Sequence, residues 1–297
     1  MAGVSDRAFR TVCVRRGAGL TFSEMVSAAG LAHGNERTWR LVRPADEERV
    51  LAVQLFGSDA DIMARQAVRV ASELGERLAF VDVNMGCPAR KVVKKGEGCA
   101  LMLDMPRAQR IVAALVRELS GVAVSVKFRS GYHTAQPVAV EFAQRMEQAG
   151  ASLLCVHGRS AEQLYRGHAD WGVVADVKAT VTVPVAGSGD VFSHDDARAM
   201  RSACGVDAVL VARGARGNPW VFCDYSPSAR ERVECAREHF ELYCRYEGEE
   251  HLTPLRAQLS GYVQGLCGAV EFRRELARAS TRADFERLFS GALERLT

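Results

Sequence analysis

Seven short runs of apolar, mostly β-branched residues recur through the chain, each closed by a polar or glycine-containing loop. Between most of them lie stretches with apolar residues at three- and four-residue spacing, the alternation expected of βαβ units. The runs predict strands at 20–23, 50–56, 80–84, 123–128, 152–157, 183–186 and 207–212. The periodic stretches predict helices at 59–74, 106–119, 137–149 and 193–204. Runs that are nearly continuous in apolar residues belong to a parallel sheet covered on both faces. A repeat of roughly 30 residues favours a (β/α)8 TIM barrel over an open doubly wound sheet.

Such a barrel needs eight strands. The chain opens at Met1-Ala2-Gly3-Val4-Ser5-Asp6-Arg7-Ala8-Phe9-Arg10 with no apolar run ahead of it. Either the written start falls one strand late, or the barrel lacks its first strand and has an open seam beside 20–23 with unpaired backbone groups along it. After Trp220 the alternation stops, and from 228 the pattern is helical. This divides the chain into a barrel over 1–227 and a small all-helical domain over 228–297. In the latter, Thr253-Pro254 reads as a cap with proline at the first helical position, followed by Leu255, Leu259, Val263 and Leu266 on one face. Thr281 and Asp284 open a further helix whose apolar stripe is Phe285, Leu288, Phe289, Ala292 and Leu296. From Ser226 onward there are 11 arginines, no lysine and 12 acidic residues, so contact with a polyanion there must come from one arginine-rich face.

Composition narrows the class. No run of about eighteen apolar residues and no charged-then-apolar leader is written in the chain, so the expectation is a cytoplasmic protein with no membrane span, acting as a monomer. Nine cysteines form an odd set with no Cys-x-x-Cys pair. That argues against a disulfide framework and against a zinc or iron–sulfur site, and for reduced thiols. A net charge of +3 permits an RNA partner without demanding one.

Functional groups of parallel barrels collect at the carboxyl ends of the strands, and here those ends are polar: Gln54, Asn84 with Cys87, Lys127 with Arg129, His157 with Arg159, Gly187-Ser188-Gly189-Asp190, and Ala212-Arg213-Gly214. Each unpartnered polar group buried there costs roughly 1 to 3 kcal/mol, so a ring of them predicts a polar ligand. Singly, each has a plainer reading: Lys127 reaching out of the barrel end, His157 satisfied by backbone, 187–189 as a turn only. The glycines and Arg213 after the seventh and eighth strands suit a phosphate. Residues 81–102 carry Asn84-Met85-Gly86-Cys87-Pro88, a turn that ends the strand and leaves a thiol at its carboxyl end. Arg90, Lys91, Lys94 and Lys95 follow, a basic loop that favours a polyanion. A buried cysteine in an ordinary turn is the plainer alternative.

With these residues in view, the chain resembles the tRNA-dihydrouridine synthases, most closely the bacterial B-type. The similarity rests on the opening motif, the cysteine motif, Val156-His157-Gly158-Arg159-Ser160, Gln163-x-Tyr165-x-Gly167-x-Ala169-Asp170-Trp171, 209–220 and Tyr262-x-x-Gly265-Leu266-x-Gly268-Ala269. It implies FMN held by Ala2, Gly3, Gln54, Lys127, His157, Gly187, Ser188, Gly189, Ala212 and Arg213, with NADPH as reductant. It implies reduction of uridine in tRNA, with hydride passing to C6 and Cys87 giving a proton to C5. Asn84 and Arg129 would face the substrate, and Arg90, Lys91, Lys94, Lys95, Arg159 and Arg166 its backbone. Cys99, the rival thiol, is expected to be structural. Two positions depart from the family pattern: Ser188 stands where Asn is usual and Ala212 where Gly is, and the methyl of Ala212 is expected to crowd the phosphate loop. An FMN barrel acting on a free pyrimidine, of the dihydroorotate dehydrogenase kind, and a non-catalytic RNA-binding barrel are the alternatives.

Overall fold

A computed structural model of the chain describes residues 1–295, so Leu296 lies outside the described residues. In chain order it contains α1 (Arg7–Arg15), β1 (Thr21–Phe22), β2 (Val26–Ser27), α2 (Ala28–Ala32), α3 (Glu36–Arg40), β3 (Leu51–Phe56), α4 (Ala60–Leu74), β4 (Leu78–Met85), α5 (Arg90–Val93), α6 (Met105–Glu118) and β5 (Val124–Arg129). There follow α7 (Ala139–Gln148), β6 (Leu153–His157), α8 (Trp171–Thr180), β7 (Val185–Ser188), α9 (His194–Cys204) and β8 (Ala208–Val209). Four helices complete it: α10 (Ala229–Glu247), α11 (Leu255–Leu259), α12 (Ala269–Leu276) and α13 (Arg282–Glu294).

The helices start where side chains can accept from orphan N–H groups. Asp59 caps α4, Asp104 caps α6, and Ser193, Ser228 and Thr281 open α9, α10 and α13 with reciprocal capping boxes. Helix α8 carries little amphipathic signal, because Val173, Val174, Ala175 and Val177 leave it no clear polar face.

All strand pairs are parallel, in the order β1-β3-β4-β5-β6-β7-β8, with β2 also on β3. β1 and β2 are two pieces of one strand position, since Thr21 pairs with Leu51 and Val26 with Leu55. The sheet curves into a half-barrel surrounded by helices, the TIM-barrel-like α/β architecture expected. Among the described residues β8 pairs only with β7 and β1 only with β3, so the expected seam is open. With one neighbour only, the predicted strand at 207–212 shortens to Ala208–Val209, although the Leu210 N–H still reaches Gly187 O at 2.8 Å.

Two apolar clusters form. One lies between the sheet and its covering helices, the other within the tail. Helix α1 belongs to both: Phe9 and Cys13 enter the first, Ala8 and Val12 the second. In the tail, Phe240 stacks on Phe285 at 4.8 Å and 19°. The predicted helix through Val263 and Leu266 is corrected: α11 stops at Leu259, and Gly265 and Gly268, both at positive φ, mark turns before α12.

A buried ion pair ties α1 to the base of the sheet. Glu48 accepts from Arg10 Nε (2.6 Å) and Nη2 (3.0 Å), from Thr21 Oγ1 (2.5 Å) and from Ala45 N (2.5 Å). The two side chains are 3% and 0% exposed, so each charge depends on the other. Glu48→Gln, which keeps the shape and removes the charge, is expected to lower the unfolding free energy by about 3 to 5 kcal/mol. The effect is read as a lower urea midpoint at constant m-value; an unchanged midpoint contradicts this role for the pair.

Candidate active site

Side chains alternate across a strand, so registers decide which residues share the barrel interior. Gln54 pairs with Asp82 and Asp82 with Ser125; Asn84 pairs with Lys127 and Lys127 with Cys155; Arg129 pairs with His157 and His157 with Ser188. Three polar layers therefore climb toward the carboxyl ends of β3 to β7.

The lowest layer is a closed network. Asp82 is fully buried; it accepts from Ser125 Oγ (2.5 Å) and Gln54 Nε2 (2.6 Å). Gln54 Oε1 accepts from Asn84 Nδ2 at 2.7 Å. Burial pushes the Asp82 carboxyl up to about 6, against the opposing pull of those hydrogen bonds and of Lys127. Sequence reasoning missed Asp82 and Ser125 as members. The available signal was a carboxylate in the apolar run Val81-Asp82-Val83, two positions before Asn84.

That network sets the cysteine turn. With its amide nitrogen spent on Gln54, Asn84 turns Oδ1 to the N–H groups of Gly86 (3.2 Å) and Cys87 (3.0 Å). Arg129 Nε holds Gly86 O at 2.8 Å, and Cys99 N holds Cys87 O at 3.1 Å. Behind the thiol residue Gly98 has φ +61°, and a side-chain carbon there would lie 2.6 Å from Cys87 O, so the close approach requires glycine. Cys87 is half-buried at the mouth, whereas Cys99 is buried.

The upper layers differ in kind. Burial pulls the Lys127 ammonium down, Arg129 adding to the effect and Asp82 opposing it. His157 Nδ1 accepts from Arg159 N at 3.1 Å, which leaves the hydrogen on Nε2. Burial first, then Lys127, Arg129, Arg159 and Arg213, push its pKa down to about 2, so the imidazole is neutral. Ser188 Oγ is buried with no hydrogen-bond partner. Among the described residues Lys127 Nζ and His157 Nε2 have no hydrogen bond or ion pair either, so the interior carries three donors without acceptors.

Gly187 is buried within β7, and Gly189, at φ +118°, accepts from Trp171 Nε1 at 3.0 Å. Ala212 has φ −121°, so its methyl brings no left-handed strain. Arg213 is half-exposed, paired with Asp190 at 3.1 Å, and its guanidinium lies 4.5 Å from the Tyr165 ring centre and 5.5 Å from that of Phe192. Ala2 and Gly3 sit in an exposed loop whose Gly3 N–H donates to Glu24 Oε2 at 2.8 Å.

Two arginines expected to meet substrate are already engaged with acceptors of the chain itself. Arg159 is 2% exposed; it is bidentate to Asp190 (2.7 and 2.6 Å) and donates to the carbonyls of Arg166 and Gly167. Arg129 is 5% exposed and also holds Ser160 O and Leu164 O. Their partner carbonyls lie in an irregular loop, which no periodicity reveals. By contrast Arg90, Lys91, Lys94 and Lys95 are exposed beside the cysteine turn and form no ion pair among the described residues. Arg166 is exposed and rests on Glu162 O.

The raised Asp82 carboxyl carries a pH signature. Between about pH 4 and pH 6 the unfolded chain is ionised there while the folded chain keeps its proton, so raising pH through that window removes stability, roughly 3 kcal/mol for a shift of this size. Above pH 6 both states are ionised and the contribution is flat. Asp82→Asn is expected to abolish this fall, measured as the wild-type minus variant difference in urea unfolding from pH 4 to 7; a pH-independent difference contradicts it.

The dihydrouridine synthase (Dus) family model matches residues 1–296. tRNA-dihydrouridine synthase B of Pseudomonas syringae pv. tomato is 40% identical over 286 residues, covering 92% of this chain and 83% of the relative. The B enzyme of Pseudomonas aeruginosa is 37% identical over 291 residues, covering 94% and 86%. A probable tRNA-dihydrouridine synthase of Synechocystis is 34% identical over 307 residues, covering 99% and 84%. Matched along nearly its whole length, this chain belongs to the dihydrouridine synthase family of enzymes.

Proposed function

We propose that the chain reduces uridine in tRNA to 5,6-dihydrouridine, with FMN bound in the barrel mouth, NADPH as reductant and Cys87 as proton donor. One observation carries the cofactor reading: the Lys127 ammonium, the His157 Nε2–H and the Ser188 hydroxyl converge on one interior without acceptors of their own. Ser188 Oγ is buried while Lys127 and His157 are half-buried at the mouth, and unpaired donors gathered in this way favour a ligand rich in acceptors. FMN, with its ring carbonyls and phosphate, supplies them. Gln54, the Ala2-Gly3 loop, Gly187 to Gly189, Ala212 and Arg213 complete the set that would hold it. When bound, the flavin supplies the hydride for uracil C6.

The protein supplies orientation and the proton. The Asn84 and Arg129 bonds fix the turn at Gly86 and Cys87, so the thiol meets C5 from a set direction. A uridine must leave its stack to reach the mouth, at a cost of a few kcal/mol. Arg90, Lys91, Lys94 and Lys95, free of ion pairs, offset that cost by contacts to phosphate. Arg166 extends the rail on the other rim. In this reading 1–227 is the flavin-binding catalytic unit and 228–297 the tRNA-binding unit. In the latter the exposed Arg237, Arg273 and Arg278, which have no ion pair among the described residues, form the basic contacts.

Cys87→Ala tests the acid directly. Dihydrouridine formation in tRNA is expected to fall at least about 100-fold, with the flavin absorbance per protein unchanged. Undiminished turnover in that variant overturns the role of Cys87.

A further inference from the structure

The tail meets the barrel at the loop that the flavin reading gives to the cofactor. Gln258, in α11, is 2% exposed, and its Nε2 donates to Asp6 Oδ2 at 2.8 Å and Gly3 O at 3.3 Å. Both partners only accept, so the amide has one orientation, and Oε1 turns to the ring of His239. That ring is completely buried in α10, and burial keeps it neutral. Its Nδ1 lies 3.1 Å from the Tyr262 hydroxyl. With Nδ1 accepting the hydroxyl proton, Nε2 carries a hydrogen. Among the described residues His239 Nε2 and Gln258 Oε1 are the two buried side-chain atoms of the tail with no hydrogen-bond partner.

The same segment touches the other flank of the seam. Arg216, just past Arg213, donates to Ala257 O. Gly217 approaches the Gly261-Tyr262 peptide so closely that a side-chain carbon would stand 2.2 Å from Gly261 C. Among the described residues β1 and β8 do not pair, so no sheet hydrogen bond fixes these two loops relative to each other. The α11 segment does.

We propose that Gln258 is a positioning residue for the cofactor loop: from the tail it fixes Gly3 and Asp6 against the β8 loop, and so pre-forms the FMN site. The inference rests on the reading of Ala2, Gly3 and Arg213 as cofactor contacts. It differs from a purely structural role, in which Gln258 serves only the tail core.

Two variants of the full chain separate these roles. Gln258→Leu removes both bonds to the loop, whereas Phe289→Leu loosens the tail core without touching it. Each protein is stripped of flavin and titrated with FMN by fluorescence, and amide exchange of the peptide containing Gly3 to Asp6 is followed in the flavin-free state. Gln258→Leu is expected to weaken FMN binding at least about tenfold through lost pre-organisation and to speed exchange of that peptide. Phe289→Leu, at an equal or greater drop in melting temperature, is expected to keep FMN affinity within about twofold of wild type. Equal affinity in Gln258→Leu and wild type, or equal weakening in both variants, overturns the positioning role alone. A wild-type protein that takes up no FMN overturns the flavin reading and the positioning role with it.

Discussion

Asp82 sits unexposed in the middle of a parallel sheet, held by Ser125 and Gln54. Gln54 can serve Asp82 only by donating its amide nitrogen, so its oxygen must take Asn84 Nδ2, and Asn84 must then turn its own oxygen to the turn at Gly86 and Cys87. A buried carboxylate thus dictates, through two amide orientations, where the thiol stands. Buried polar networks of this kind are stabilising when every member is satisfied and costly when one is not. Below the level of Asn84 every member is satisfied. Above it, at Lys127, His157 and Ser188, donors outnumber acceptors, and that imbalance is the physical ground for placing an acceptor-rich cofactor there.

The second constraint is the seam. A sheet whose edge strands do not meet cannot by itself hold the loops that flank the opening. Here α1 packs one face on each apolar cluster, Arg7 reaches Glu247 of α10 at 2.9 Å, and Gln258 and Arg216 join the tail to both flanks. The tail is therefore part of the mouth's framework as well as a candidate surface for RNA.

Much of this was legible in the sequence, for a reason that can be named. In a parallel sheet both faces are apolar, so polar residues such as Gln54, Asn84, Lys127 and His157 stand out at strand ends, and all four project into one interior. The open seam followed from the count of runs. What the sequence did not show depends on partners far along the chain. Arg129 and Arg159 looked like substrate contacts because nothing local says that Gly86 O, Ser160 O, Leu164 O and Asp190 consume them. Asp82 was hidden because its role lies in Ser125 and Gln54, 43 and 28 positions away. Gln258 carries no signal at all without the fold that brings it to Asp6.

In the function proposed above, this interior, filled with flavin, presents uridine of tRNA to the thiol of Cys87. The most direct measurement incubates the flavin-loaded protein with NADPH and unmodified tRNA, then digests the RNA and weighs its nucleosides. The expected product is a uridine heavier by two hydrogens, formed only with NADPH. Unchanged uridine in the tRNA, with NADPH consumed on a free pyrimidine instead, would contradict it.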